Sequence, residues 1–210
     1  MPGIGIDLSK YKPANEEAKC KLRNELGLMP GIKCIIMIAE FNTNKRHIDL
    51  IDAVNSLEDK EIIVLFAGNG ALESSMKEYV SKLGIAKQFR FLGRRSDICE
   101  LLSVADVNVL PSLREGLPRS MMEAMAVGTV NIGSKIRGIT DLLSGNCGGL
   151  FEARNIIQLA EQIRLALYFH EISSKWRENA RIRIKECELS KIIISHEKLY
   201  NHLKASNVGH

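Results

Sequence analysis

The feature that most constrains this chain is a repeated alternation. Short apolar runs rich in isoleucine and valine recur, and an amphipathic stretch follows almost every one. The runs are "KCIIMIAE", "EIIVLFAG", "FRFLG", "DVNVLPS", "TVNIG" and "GGLFE". Runs of this kind, without polar alternation, suit strands buried on both faces. Between them lie helical patterns. "NKRHIDLIDAVNSL" sets Ile48, Ile51, Val54 and Leu57 on one stripe, and "ALESSMKEYVSKLG" stops at Gly84. "SDICELLSVA" offers Ser96 or Asp97 as a cap, and "PRSMMEAMAVG" places Pro118 at a first helical position and Gly128 at a stop. "GITDLLS" is a further short helix. Six strands alternating with helices predict an α/β fold, a Rossmann-like doubly wound parallel sheet with helices on both faces.

The flanks differ. Residues 1–33 read as a linker and a first helix, with Ala18, Leu22 and Leu26 on one side and Gly27 as its stop. Residues 34–152 hold the sheet and its crossover helices, and residues 153–205 read as three successive helices with breaks near "EISS" and "CELS". No repeat or long linker divides the 210 residues, so one domain over 1–210 is expected.

Composition narrows the function classes. The net charge of +4 fits an anionic ligand or peripheral contact with an anionic membrane, yet is too weak to argue for nucleic acid. Five cysteines at long spacings, with no CxxC, predict a reduced cytoplasmic chain. The five histidines do not join them at ligand spacing, so no metal is expected. No apolar run approaches the length of a membrane span, and "MPGIGIDLSKY" lacks the features of a signal peptide.

In open parallel sheets, ligands bind beyond the carboxyl ends of the strands. The loops there are "AEFNTNK", "AGNG", "LGRRSD", "PSLREGLP" and "SKIRG", rich in groups suited to phosphates and hydroxyls. "FAGNGALE" carries Gly68 and Gly70, but Glu73 stands where a dinucleotide fingerprint needs its third glycine. In "EGLPRSMME" seven residues separate Glu115 from Glu123 around a helix start. The first-turn N–H groups of that helix lack intrahelical partners and favour an anion. Glu115 and Glu123 then suit hydroxyls on either side, a sugar and a ribose. The competing reading makes Glu115 a cap and Glu123 a solvated helix residue. The small and apolar neighbours Met122, Ala124 and Ala126 weigh against a plain surface position for Glu123.

These residues carry a resemblance. "ADVNVLPSLREGLPRSMMEAMAVGTV", with its Glu-x7-Glu segment, resembles the nucleotide-sugar-binding C-terminal domain of GT-B glycosyltransferases, most closely the family-4 retaining enzymes of capsule and exopolysaccharide assembly. "FAGNG", "FLGRRSDICELL", "SKIRGITDLL" and "GGLF" are similar as well, and the likeness extends over residues 1–203. It implies a UDP- or GDP-linked sugar as donor, hexosyl transfer with retention, and no metal or other cofactor. It implies that Glu115 holds the donor sugar near the reacting centre, with Gly116, Leu117 and Pro118 at the sugar or diphosphate. Lys45 would pair with the diphosphate and Glu123 with the ribose. Main chain at Gly93 and Arg94 would read the base edge, Gly68 and Gly70 would let backbone pass close to the ligand, and Ser112 belongs to the same loop contacts.

The chain departs from the family at Ala39-Glu40-Phe41, where many relatives have Gly-Arg-Leu with the arginine as a second phosphate cation. Glu40 with the Asn44-Lys45 pair after it resembles a trait of the capsule-type relatives, and Arg46 would partly compensate for the missing arginine. In GT-B enzymes an acceptor domain comes first, and this sequence resembles the second domain alone, either a piece of a longer enzyme or one half of a split one. The implied partners are that N-terminal domain or a partner subunit, with contact at the inner face of the membrane a further expectation. The last helix would cross to the first domain on Ile193, Ile194, Leu199 and Leu203. A non-catalytic nucleotide-sugar-binding subunit that needs a partner chain is the alternative. A sugar epimerase fits "EGLP" less well.

Overall fold

The computed structural model describes residues 4–207, with side chains as far as Lys198. The six apolar runs form six strands: β1 (Lys33–Ile38), β2 (Ile62–Ala67), β3 (Phe89–Phe91), β4 (Val107–Leu110), β5 (Val130–Ser134) and β6 (Gly149–Phe151). All neighbours pair in parallel, in the order β3-β2-β1-β4-β5-β6. This is the doubly wound Rossmann-like sheet expected. Chain order reverses between β1 and β4, which opens a crevice at their carboxyl ends.

Side-chain alternation along each strand feeds two cores. In β1, Ile35 and Met37 join one core while Cys34 and Ile36 join the other. In β2, Val64 and Phe66 take the first side and Ile63 and Leu65 the second. The second core is covered by α1 (Glu16–Glu25), α4 (Ile98–Val104) and part of α5 (Arg119–Val127). The first is covered by α2 (His47–Leu57), α3 (Glu73–Lys82), α6 (Arg137–Leu143), α7 (Ile156–Tyr168) and α8 (His170–Ile184). Strands buried on both faces explain why the runs lack a polar alternation.

Capping explains several helix ends. The Asn15 side chain accepts from the Ala18 N–H at 2.8 Å, and Asn155 does the same for Gln158 at 3.0 Å. Gly128, at φ 94°, ends α5, and the Arg177 Nε–H donates to its carbonyl at 2.8 Å.

Four local expectations need correction. Helix α2 begins at His47, because Asn42 turns residues 44 and 45 and Arg46 adopts φ 55°. Pro118 is the N-cap rather than the first helical residue. Asp97 occupies the cap of α4, but its carboxylate pairs with Arg95 instead of capping. The break after α7 falls at Phe169, and "EISS" lies inside α8, where buried Ser173 and Trp176 hold it to the core.

The last element among the described residues is α9 (Leu189–Asn207), which follows a short 3₁₀ turn over Lys185–Cys187. Ile6 pairs beside it: its N–H donates to the Cys187 carbonyl and its carbonyl accepts from Leu189, both at 2.9 Å. Ile193 and Ile194 are exposed, and Leu199 and Leu203 lie outside the residues whose side chains are described. No helix among the described residues is long and apolar enough to cross a membrane. All five cysteines are free thiols.

Candidate functional site

Two loops flank the crevice, and each carries one member of an ion pair. The loop after β1 delivers Lys45, and the loop after β4 delivers Glu115. Lys45 Nζ lies 2.5 Å from Glu115 Oε1, with the side chains 23% and 11% exposed. Asn44 locks the two loops together beside this pair. Its carbonyl accepts from the Leu113 N–H at 2.9 Å, and its Nδ2 donates to the Arg114 carbonyl at 2.9 Å. The pair therefore stands on two loops joined through the main chain and the side chain of Asn44, and not on two free loops.

The other flank of the Glu115 loop rests on α6. A Cβ on Gly138 would lie 1.3 Å from the Gly116 carbonyl oxygen, so only glycine lets the first turn of α6 approach this closely. Gly116, Leu117 and Glu115 then line a hollow of about 750 Å³ together with Arg137, Asp141 and Arg183. Lys45 and Glu123 are outside its wall. A second hollow, of about 620 Å³, opens at the amino ends of the strands. There Arg23 donates to the Val104 and Ile32 carbonyls, and Arg177 to Gly128.

Beyond Pro118 the helix end is open. The Pro118 carbonyl accepts from Met121 and Met122, and no side chain caps the first turn of α5. The preceding N–H groups remain available to an anion. Glu123 follows on α5 and is only 8% exposed. That removes the solvated-residue reading. Its Oε1 accepts from the Tyr11 hydroxyl at 2.7 Å and lies 3.4 Å from Arg119 Nε.

The remaining expected residues divide. Arg46 forks onto buried Asp49 at 2.6 and 3.1 Å, which ties its guanidinium to the first turn of α2. Gly68 and Gly70 sit at φ 152° and 154°, and a Cβ on them would lie 2.0 Å from the Ala39 carbonyl oxygen and 2.5 Å from that of Phe41. Their close neighbour is thus the chain's own loop after β1. Gly93, at φ 64°, accepts from the Gly68 N–H at 2.8 Å, and Arg94 is exposed beside it. Ser112 is fully buried. Its carbonyl accepts from the Ser134 hydroxyl, and its own Oγ has no partner among the described residues.

Three contributors escaped the sequence reading: Asn44 as a clamp, Gly138 as a contact and Tyr11 as a partner of Glu123. The glycine in "KIRGIT" directly before a helical pattern was a weak signal for Gly138. Tyr11 gave none, since it lies 112 positions from Glu123 in a segment without periodicity. Among the described residues no group of three or more His, Cys, Asp or Glu side chains is arranged to hold a metal.

A parallel sheet in this order, with its paired charges gathered over the β1–β4 crevice, defines a doubly wound domain whose binding end is the carboxyl edge. The chain belongs to the family Glycosyl transferases group 1, whose profile matches residues 19–183. It is 31% identical over 182 residues to EpsD of Bacillus subtilis (strain 168), covering 85% of this chain and 48% of that protein. It is 30% identical over 206 residues to an N,N'-diacetylbacillosaminyl-diphospho-undecaprenol alpha-1,3-N-acetylgalactosaminyltransferase of Campylobacter jejuni, covering 97% and 54%. The chain thus spans about half the length of these relatives. The Anabaena protein Alr3699/HepE, crystallised with UDP-glucose, shares the fold, with a TM-score of 0.86 at 21% identity over 96% of this chain and 56% of that one.

Proposed function

We propose that this chain is the donor half of a retaining glycosyltransferase of the family-4, capsule and exopolysaccharide type. It binds a UDP- or GDP-linked sugar, and a second domain or partner chain presents the glycan or lipid-linked acceptor. The observation that carries this reading is the Lys45–Glu115 pair at the crevice, beside the uncapped end of α5. A carboxylate alone would repel a diphosphate. Here Lys45 offsets that charge and is itself a cation within reach of the phosphates.

In this reading Glu115 accepts hydrogen bonds from donor-sugar hydroxyls near the anomeric carbon. Main chain at Gly116 to Pro118 meets the sugar and diphosphate, and Glu123 accepts from the ribose. Gly93 and Arg94 lie along the base. As the glycosidic bond breaks, negative charge grows on the diphosphate, and Lys45 and the helix-end N–H groups stabilise it without a metal. The Anabaena neighbour, whose structures include UDP with glucose, supports the donor class. The Campylobacter relative, named for transfer to a diphospho-undecaprenol sugar, supports the acceptor class.

Calorimetric titration of UDP, GDP and their hexose conjugates tests the proposal. Binding of at least one is expected, and no heat from any of them at millimolar concentration would sink it. Glu123→Ala should weaken free UDP or GDP by about tenfold, the effect of losing a hydrogen bond to a charged group. Glu115→Ala should leave the free nucleotide nearly unchanged and remove the gain from the sugar. Equal effects of both on free nucleotide would contradict the assigned roles.

A further inference from the structure

We infer that Tyr11 is a positioning residue for the ribose carboxylate: its hydroxyl fixes one oxygen of Glu123 and leaves the other for a ribose diol. This rests on the role given to Glu123 above. Both observed partners, Tyr11 and Arg119, meet the same oxygen, Oε1. Among the described residues nothing donates to Oε2. A carboxylate oxygen has two lone pairs, enough to accept from both hydroxyls of a diol.

Tyr11 is itself held from both sides. The Cys99 thiol donates to the Lys12 carbonyl at 3.0 Å, and the Ala14 N–H donates to Ser103 Oγ at 2.9 Å, so the segment is pinned along α4. Upstream, Ile6 is paired with Cys187 and Leu189. The Tyr11 ring packs against both cores of the sheet. Burial, and then the Glu123 carboxylate, push its phenol above the usual tyrosine range, so it stays a donor at neutral pH. A glutamate on a helix otherwise has three torsions to order when a ligand arrives. Tyr11 orders them in advance, which favours binding without adding a ligand contact.

The test compares UDP and GDP with their 2',3'-dideoxy counterparts on the 210-residue chain, by calorimetry. The wild-type chain should prefer a nucleotide with both hydroxyls by about tenfold. Glu123→Ala should erase that preference. Tyr11→Phe, which keeps the ring and removes the donor, should reduce it to about threefold. Tyr11→Met is a second variant with the same expectation should the first fold poorly. A full wild-type preference in either Tyr11 variant overturns the inference, whatever the melting temperature does, and leaves the ribose role standing if Glu123→Ala still erases the preference. A preference that survives Glu123→Ala overturns the ribose role, and the inference falls with it. So does the absence of binding by any of the four nucleotides.

Discussion

His47 is buried at the start of α2, with its ring stacked on Phe41 at 4.0 Å between centroids. Its Nε2 has no partner among the described residues. Burial, with the Lys45 charge adding to it, pushes its pKa down to about 3 from an ordinary 6.5. The unfolded chain therefore takes up the proton first as the pH falls. The contribution of His47 is intact above about 6.5 and is lost progressively toward 3, by about 1.4 kcal/mol per pH unit. Lowering the pH from 7 to 5 should cost about 2 kcal/mol through this residue. His47→Phe should remove that part of the slope in urea denaturation compared at the two pH values. At the neighbouring Lys45, substitution by Met should weaken nucleotide binding by about tenfold while shifting the folding free energy by less than about 1 kcal/mol, because a partly exposed ion pair adds little stability. Calorimetry and urea titration of one preparation separate the two effects. Spacing around a helix start singled out Glu115 and Glu123, and resemblance singled out Lys45; the structure pairs Lys45 with Glu115 and buries Glu123. Asn44 and His47 were not legible in the sequence, since what they do depends on which loop and which ring the fold sets against them.

Elements were legible by type, and their ends less so. The strands declared themselves because burial on two faces leaves an unbroken apolar run. Helix starts shifted where the backbone ahead of them turned, as at Arg46 before α2. Phe169 separates α7 from α8 although the break-like serines lie further on. At this scale the contact of α6 with the Glu115 loop makes a sharp prediction. Gly138→Ala should destabilise the fold by about 3 kcal/mol, because the new Cβ meets backbone that cannot move aside. By displacing Glu115 it should also remove the gain in affinity that the sugar adds to the nucleotide. Gly84→Ala is the control: φ is 74° but the space is open, so only about 1 kcal/mol of backbone strain is expected. Similar urea midpoints for the two variants would refute the close approach of α6.

Across the whole molecule, strand order was the part hidden from the sequence. The runs announce six strands, yet nothing local says that β4 returns beside β1 while β2 and β3 go the other way. That return creates the crevice and brings Lys45 to Glu115 across 70 positions. Apolar side chains stand exposed near the two ends of the chain, at Ile4, Ile182, Leu189, Ile193 and Ile194. With an acceptor-bearing partner proposed, the 210-residue chain should bind donor without transferring sugar, as followed by nucleotide release in the presence of lipid-linked acceptor. Transfer above the rate of donor hydrolysis would refute the need for a partner. The brace on the Glu115 loop reaches beyond a single chain. Asn44 grips the loop on one flank and Gly138 presses on the other, both through its main-chain atoms, so the exposed Arg114 and Arg137 side chains occupy the rim without building the frame. Those rim positions are free to drift under mutation while the scaffold holds its shape. In the donor reading proposed above, a lineage built on this domain has a short route from one donor sugar to another, a few exchanged side chains on an inherited mould.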